Sequence, residues 1–265
     1  MDDTAVSPPV AEPRTATSTP VLVLYNLLYW PYLIGTCVLG FVPALAIFLV
    51  TAPFDRERKL LHRYTCLWGA HYLAWAPLAG TRVEGLDRAK SAGPCIYVSN
   101  HQSMVDILAV FALRTPFLWV SKVENFYVPF LGWNMWLNRY VPLRRGHLPS
   151  IMKMVRTCHR RLREGHSLFV FPEGTRSPDG NLIRFFPGAF RLAVRFQVPI
   201  VPVVVDGTGE ILPKGQFYIR PRPVLLRVLD PIHPKDVGND HRTLLETVRT
   251  KMKGELEQVR GGRAA

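Results

Sequence analysis

A chain of 265 residues, 48% of them hydrophobic, is long enough to bury one sizeable core and too apolar to stay disordered. Its 33 lysines and arginines against 20 aspartates and glutamates give a formal net charge of +13, which calls for a polyanionic partner: nucleic acid, an anionic membrane face or phosphorylated small molecules. The four cysteines, Cys37, Cys66, Cys95 and Cys158, are widely spaced with no CxxC, which speaks against a disulfide framework or a zinc site and for reduced thiols.

Residues 1–20, rich in Pro, Thr, Ser and Ala, read as a disordered tail. Between Arg14 and Asp55 there is no charged residue, and residues 21–50 are apolar almost throughout. A spanning helix needs about 20 residues, so a membrane-embedded helical segment is expected over 21–54. Pro31 and Pro43 interrupt it, leaving one kinked span or two short helices in one leaflet, and the prolines favour the second. Tyr29, Trp30 and Tyr32 read as an interfacial belt. The basic residues just beyond, Arg56, Arg58, Lys59 and Arg63, place the following domain on the cytoplasmic side, against anionic head groups. Residues 55–90 are expected to link and to lie on the membrane surface, with LWGAHYLAWAPLAG as a surface helix.

From residue 91 to about 260 the pattern becomes an alternation. Strand-like runs at 95–99, 117–122, 140–143, 167–171, 200–205 and 224–229 are separated by helix-like stretches at 103–113, 124–137, 149–164 and 187–197, with a last one near 240–259. That order predicts an α/β domain with a mostly parallel central sheet flanked by helices, and a site at the carboxyl ends of the strands. Pro199 and Pro202 in VPIVPVVV point to an edge strand or the wall of an apolar pocket.

Three stretches at predicted strand ends carry chemistry. In SNHQSMVD, His101 and Asp106 stand five apart, which on one ideal helix sets them roughly 140° apart. If Ser103 is the N-cap, His101 sits in the loop before the helix and folds back on Asp106, making a general base with its orienting carboxylate. The plainer reading is a capping box beside an ordinary loop histidine. In FPEGTRS, Glu173, Gly174, Thr175 and Arg176 leave a strand, and a glycine turn with a forked cation suits a phosphate. In VPLRRG, Arg144 and Arg145 close another short strand, either as a solvated edge or as part of a site for an acidic head group. No P-loop, HExxH or zinc spacing occurs, so no metal is expected.

These blocks, with VPIVPVVV as the fourth, resemble the glycerolipid acyltransferase family, particularly its 1-acylglycerol-3-phosphate acyltransferase branch, over about residues 55–230. The resemblance implies His101 as general base with Asp106 as its partner. It implies Arg145, just before Gly146, with Arg144 in a position that varies, together with Glu173, Gly174, Thr175 and Arg176, as the site for the acceptor phosphate, and Pro202 near the acyl pocket. VPLRRG is more basic than the commoner pattern ending in Asp-Arg, so the second block names two arginines rather than one. The implied reaction moves an acyl group from acyl-CoA or acyl carrier protein, as co-substrate with no cofactor, to the free hydroxyl of a lysophospholipid at a phospholipid membrane, giving phosphatidic acid. Backbone amides at the start of the helix after His101 are expected to hold the oxyanion. A non-catalytic, membrane-anchored lipid-binding protein would leave the His–Asp pair unused. A nucleic-acid binder would show exposed aromatics among its basic residues, whereas these aromatics lie mostly in apolar runs.

Overall fold

The computed structural model describes residues 19–74 and 80–264; the expected tail, 1–20, lies outside them except for Thr19 and Pro20, which open a helix. In chain order the elements are α1 (Thr19–Thr51), α2 (Lys59–Ala74), β1 (Thr81–Glu84), α3 (Leu86–Ser91), β2 (Ile96–Ser99), α4 (Val105–Phe111), β3 (Leu118–Lys122), α5 (Leu131–Leu137), β4 (Val141–Leu143), α6 (Leu148–Arg163), β5 (Leu168–Val170), α7 (Gly188–Phe196), β6 (Ile200–Asp206), α8 (Thr208–Ile211), β7 (Val224–Val228) and α9 (His241–Ala264). The expected helix over 124–137 is a 3-10 turn, Val123–Tyr127, followed by α5. Pro129 lies in the break, where it cannot continue a helix.

The strands form one sheet in the order β1-β7-β6-β2-β5-β3-β4. Every neighbouring pair is parallel except β6–β7. β1 falls within the stretch expected to link, because TRVE pairs residue for residue with Val224–Arg227. β2 and β6 are buried along their whole length, as unbroken β-branched and aliphatic runs are in a sheet covered on both faces. On α9 the apolar positions Leu244, Val248, Met252, Leu256 and Val259 recur at helical spacing and are buried. Each contributes about 1.5–3 kcal/mol of burial.

β6 is central, not an edge. Pro202 lies opposite Val98 in the parallel register with β2. Its carbonyl faces the other neighbour and accepts from Leu229 N at 2.9 Å, just beyond the first antiparallel pair, Val203↔Val228. A residue's N–H and C=O point to the same side of a strand, so the donor that proline lacks falls where the β7 ladder has already ended. The sheet loses little by it.

The prolines of α1 do not divide it either: one 33-residue helix contains both Pro31 and Pro43. Interior proline costs about 3 kcal/mol or more, and here side-chain anchors flank each one. Asn26 bonds both backbone groups of Ile219 (2.9 and 2.7 Å), Tyr64 donates to Gly40 O (2.8 Å), and the Arg58 guanidinium covers the Phe48 ring at 4.5 Å. The α1 helix thus lies along the domain rather than leaving it. Arg58, expected at a head-group surface, is turned inward and only 7% exposed. Of LWGAHYLAWAPLAG, expected as a surface helix, residues 67–74 close α2 and 75–79 lie outside the described part; Trp68, Tyr72 and Leu73 are buried, as are Leu61 and Cys66 earlier in α2, chiefly against α1 and α4, while Leu67 is exposed.

Candidate active site

β2 delivers the first motif. Where its ladder stops, the Asn100 side chain takes over: Nδ2 donates to Val205 O (2.7 Å) and Oδ1 accepts from Val205 N (2.8 Å). The chain is therefore held to β6 one residue beyond the strand, and His101 follows at the carboxyl end, with β5 and β6 on either side.

His101 Nδ1 meets Asp106 Oδ2 at 2.8 Å. The same oxygen accepts from Gln102 N (2.6 Å) and Ser103 N (2.9 Å), and Oδ1 accepts from the Thr208 hydroxyl. Asp106 is fully buried, and four donors converge on its two oxygens. A carboxylate only accepts, so Nδ1 carries the ring proton and Nε2 has the lone pair of a base. The ring plane is set by Phe171, stacked at 4.0 Å and 11°. The expected His–Asp pair thus forms, but Ser103 is not the N-cap: that position falls to Met104, whose side chain makes no cap bond. The helix begins at Val105, and Ser103 Oγ accepts from Val105 N (3.2 Å) while donating to Leu212 O (2.7 Å).

These contacts narrow the amides that could hold an oxyanion. The amides of Gln102 and Ser103 are taken by Asp106, Val105 N by Ser103 Oγ, and Asp106 N by Ser103 O, so these four are not offered to an oxyanion. A carboxylate that anchors a histidine from inside the next helix turn captures the donors that would otherwise face the substrate.

β5 delivers the third block beside it. Glu173, 2% exposed, accepts from His101 N through Oε1 (3.1 Å), and Ser177 N donates to His101 O (2.7 Å). The FPEGTRS loop therefore clasps the histidine backbone from both sides. Burial pushes the Glu173 carboxyl up to about 7, aided by the nearby Asp106 charge and opposed by the His101 and Ile183 amides and by Arg249. A buried carboxyl facing the histidine is suited to orienting the loop, not to receiving a phosphate. Gly174 has φ 67°, and a Cβ there would come within 2.9 Å of the Phe186 ring, so the turn requires glycine. Thr175 is exposed and Arg176 partly so, with Lys214 Nζ on its carbonyl at 3.0 Å. From α9, Arg260 binds Gly180 O (2.9 Å) and Asp206 (3.3 Å), fastening this loop to the end of β6.

Arg144 and Arg145 are exposed just past β4, at the same end of the sheet. Three strand spacings separate β4 from β2, roughly 14 Å at the usual interval. Both arginine blocks thus lie on the β5 side of the histidine, Arg176 after the adjacent strand and Arg144 and Arg145 after a strand three places away. Pro202, by contrast, is buried inside β6, short of its carboxyl end. Thr208, Asn100 and Phe171 went unrecognised in the sequence. The signal for Thr208 was present as DGT directly after VPIVPVVV, where Gly207 (φ 90°) turns the chain so that the hydroxyl faces Asp106.

The Acyltransferase family model matches residues 80–206. A chloroplastic 1-acyl-sn-glycerol-3-phosphate acyltransferase of Brassica napus is 40% identical over 208 residues, 78% of this chain and 59% of the relative. Its counterpart in Arabidopsis thaliana is 35% identical over 77% of this chain and 56% of the relative. The chain spans about three fifths of the length of the curated relatives it matches. Among solved structures, the 1-acyl-sn-glycerophosphate acyltransferase PlsC of Thermotoga maritima superposes with a TM-score of 0.76 at 27% identity, covering 90% of this chain and 98% of that one. The buried His–Asp pair thus stands in a sheet and a sequence that these proteins share, and the chain belongs to the acyltransferase family, with residues 80–206 as its family domain.

Proposed function

We propose that this protein transfers an acyl group from a thioester, carried by CoA or by acyl carrier protein, to the free hydroxyl of 1-acylglycerol-3-phosphate, giving phosphatidic acid. The observation that carries the reading is the His101–Asp106 pair, with its tautomer fixed, at the carboxyl end of β2. In the step, His101 Nε2 removes the hydroxyl proton as that oxygen attacks the thioester carbonyl. The tetrahedral adduct collapses with cleavage of the C–S bond, and the imidazolium returns its proton to the departing thiolate. Asp106 steadies the imidazolium meanwhile. Arg176 and one or both of Arg144 and Arg145 hold the acceptor phosphate, and position rather than new covalent chemistry supplies much of the rate.

Membrane attachment rests on α1, the one described helix long and apolar enough to cross a bilayer. Of its residues only Asn26, Tyr29, Ala44 and Thr51 are buried, while Leu24, Leu27, Leu28, Ile34, Leu39, Val42, Leu49 and Val50 are exposed. An apolar strip of that length is a surface for lipid. Because α1 is anchored to the domain near both ends, it supports a domain lying against the bilayer on the cytoplasmic side, where a lipid acceptor reaches His101 without leaving the membrane.

The test is a panel of thioester donors against lysolipid acceptors on purified protein in vesicles, following release of the thiol. Turnover requiring a lysophospholipid with a free hydroxyl and a phosphate supports the reading. Acylation of acceptors lacking phosphate at equal rate, or no thiol release with any pair, would overturn it.

A further inference from the structure

The opposite end of the sheet holds a cavity that the proposed reaction does not use. It measures about 310 Å³ and opens among the amino ends of β2, β3 and β5, beside the turn that joins α1 to α2. Ligands of parallel α/β sheets sit at the carboxyl ends, so this is not an extension of the His101 site. Its walls carry Arg58, Lys59, Lys90 and Arg114, with Glu57 as the opposing charge, and Glu57 is already engaged by Lys59 at 2.6 Å.

The cavity is built rather than incidental. Arg58 lines it from a backbone with φ 61° and is 7% exposed; its guanidinium lies over Phe48 and Nη1 donates to Asp55 O at 3.3 Å, while Nε–H has no hydrogen-bond partner among the described residues. A buried guanidinium donor left unmatched is unfavourable, so this N–H is placed to take an acceptor. Like charge accumulates around it. Burial, and then the charges of Arg58 and Arg161, hold the Arg139 guanidinium below its usual range. Asn138, 1% exposed, also lines the space and offers an unmatched acceptor, Oδ1, for a ligand hydroxyl. His62 is not part of the positive set. Both its nitrogens are bonded, to Tyr140 and to Thr115 O, and burial lowers it to about 4, so it lines the cavity uncharged. The α2 amino terminus is likewise closed, since Asp55 accepts from Lys59 N and Leu60 N. The floor, by contrast, is apolar, made by Tyr97, Pro116 and Phe117.

A cationic mouth, a buried arginine with one unmatched N–H and an apolar floor fit one ligand chemistry. We propose that this cavity is a second anion site, separate from His101, that takes the phosphate of an organic phosphate whose body rests on the Tyr97–Phe117 floor. Two sources share that chemistry, a phospholipid head group reaching in beside the α1–α2 turn and a soluble phosphorylated metabolite.

The experiment uses the full chain in detergent micelles at constant ionic strength, titrated with inorganic phosphate by calorimetry in the Arg145→Ala/Arg176→Ala background. Saturable binding is expected there, and it should weaken at least tenfold when Lys90→Gln and Arg114→Gln are added. Both residues are exposed at the mouth, and an unchanged melting temperature verifies the fold. A parallel arm measures capture by phosphatidylcholine vesicles with and without phosphatidic acid. Phosphatidic-acid-dependent capture that falls with the same pair identifies a lipid head group, and phosphate binding without that dependence identifies a soluble ligand; both uphold the site. Binding that does not saturate, that vanishes in the Arg145→Ala/Arg176→Ala background, or that ignores Lys90→Gln/Arg114→Gln would overturn it. None of these outcomes depends on whether the chain acylates a lysolipid.

Discussion

The carboxyl ends of β2 and β4 differ in how firmly they hold the side chains that the proposed reaction would use. Around Asp106 four donors converge on one buried carboxylate, and three neighbouring strands fix the histidine by backbone and side chain. Past β4, Arg144 and Arg145 stand exposed in a loop whose recorded hold is Arg144 N on Ser150 Oγ at 2.8 Å. Proton transfer needs a lone pair aimed to within a fraction of an ångström, whereas a phosphate can be caught by long, mobile cations that settle as it arrives. Rigidity is concentrated where the bond changes and relaxed where the ligand is gathered.

The contrast is sharpest at the rigid half, so the largest effects are expected there. His101→Ala should lower turnover by about 10³-fold or more while leaving the melting temperature and vesicle binding unchanged, since it removes the base without touching the sheet. A folded variant with near-normal thiol release would break the comparison. Asp106→Asn should cost about 10²–10⁴-fold in turnover by freeing the tautomer. It should also cost stability, because an amide cannot accept from all four donors. Thr208→Val separates these two effects, since it removes one donor to Oδ1 but leaves the bond to His101 Nδ1. Its loss should appear in the denaturation midpoint, about 1–3 kcal/mol, with turnover less affected than in Asp106→Asn.

Next in size is the pH response of Glu173. Its carboxyl titrates near 7 in the folded chain against an ordinary value of 4.5, so the folded state holds a proton that the unfolded state has released between those values. That contribution to stability is complete below pH 4.5 and fades as pH rises through 7, by at most about 3 kcal/mol. Glu173→Gln should flatten the decline over this window when denaturation midpoints are compared across pH. Parallel curves for the two proteins would mean the carboxyl is not held in its neutral form.

The mobile half should yield the smallest changes and a different signature. Replacing Arg145 or Arg176 by Ala should weaken acceptor binding by about 1.5–3 kcal/mol, with the KM for donor and the melting temperature little altered. The Arg144→Ala variant tells which of the adjacent arginines makes the contact. Equal losses for donor and acceptor would show that the arginines brace the loop instead.

Much of this was legible because local chemistry and global position agreed. Strand runs of β-branched residues became β2 and β6, and the five-residue spacing of His101 and Asp106 required a loop-to-helix junction, which is what formed. What was not legible depended on neighbours that periodicity cannot name. Pro202 reads as an edge residue until β7 is seen to end opposite it, and Pro31 and Pro43 read as breaks until the anchors beside them are known. Glu173 reads as a phosphate ligand from its motif, yet burial against His101 N turns it to the loop. Thr208 acts 102 residues away from its partner, a separation over which a single sequence carries no register.

The Asn100 amide, which replaces a peptide group between the end of β2 and Val205, has a consequence for how the site comes apart. Loops usually open by local fluctuations that leave the sheet intact, and their exchangeable hydrogens show it. Here the segment leading to His101 shares its bonds with the central strand, so the Val205 amide should exchange only when the whole sheet opens. Asn100→Ala should shift that one hydrogen from the slowest class to a faster one. Fluctuations that misplace the base are thereby made as rare as unfolding, and loss of catalytic geometry on heating should coincide with loss of the fold.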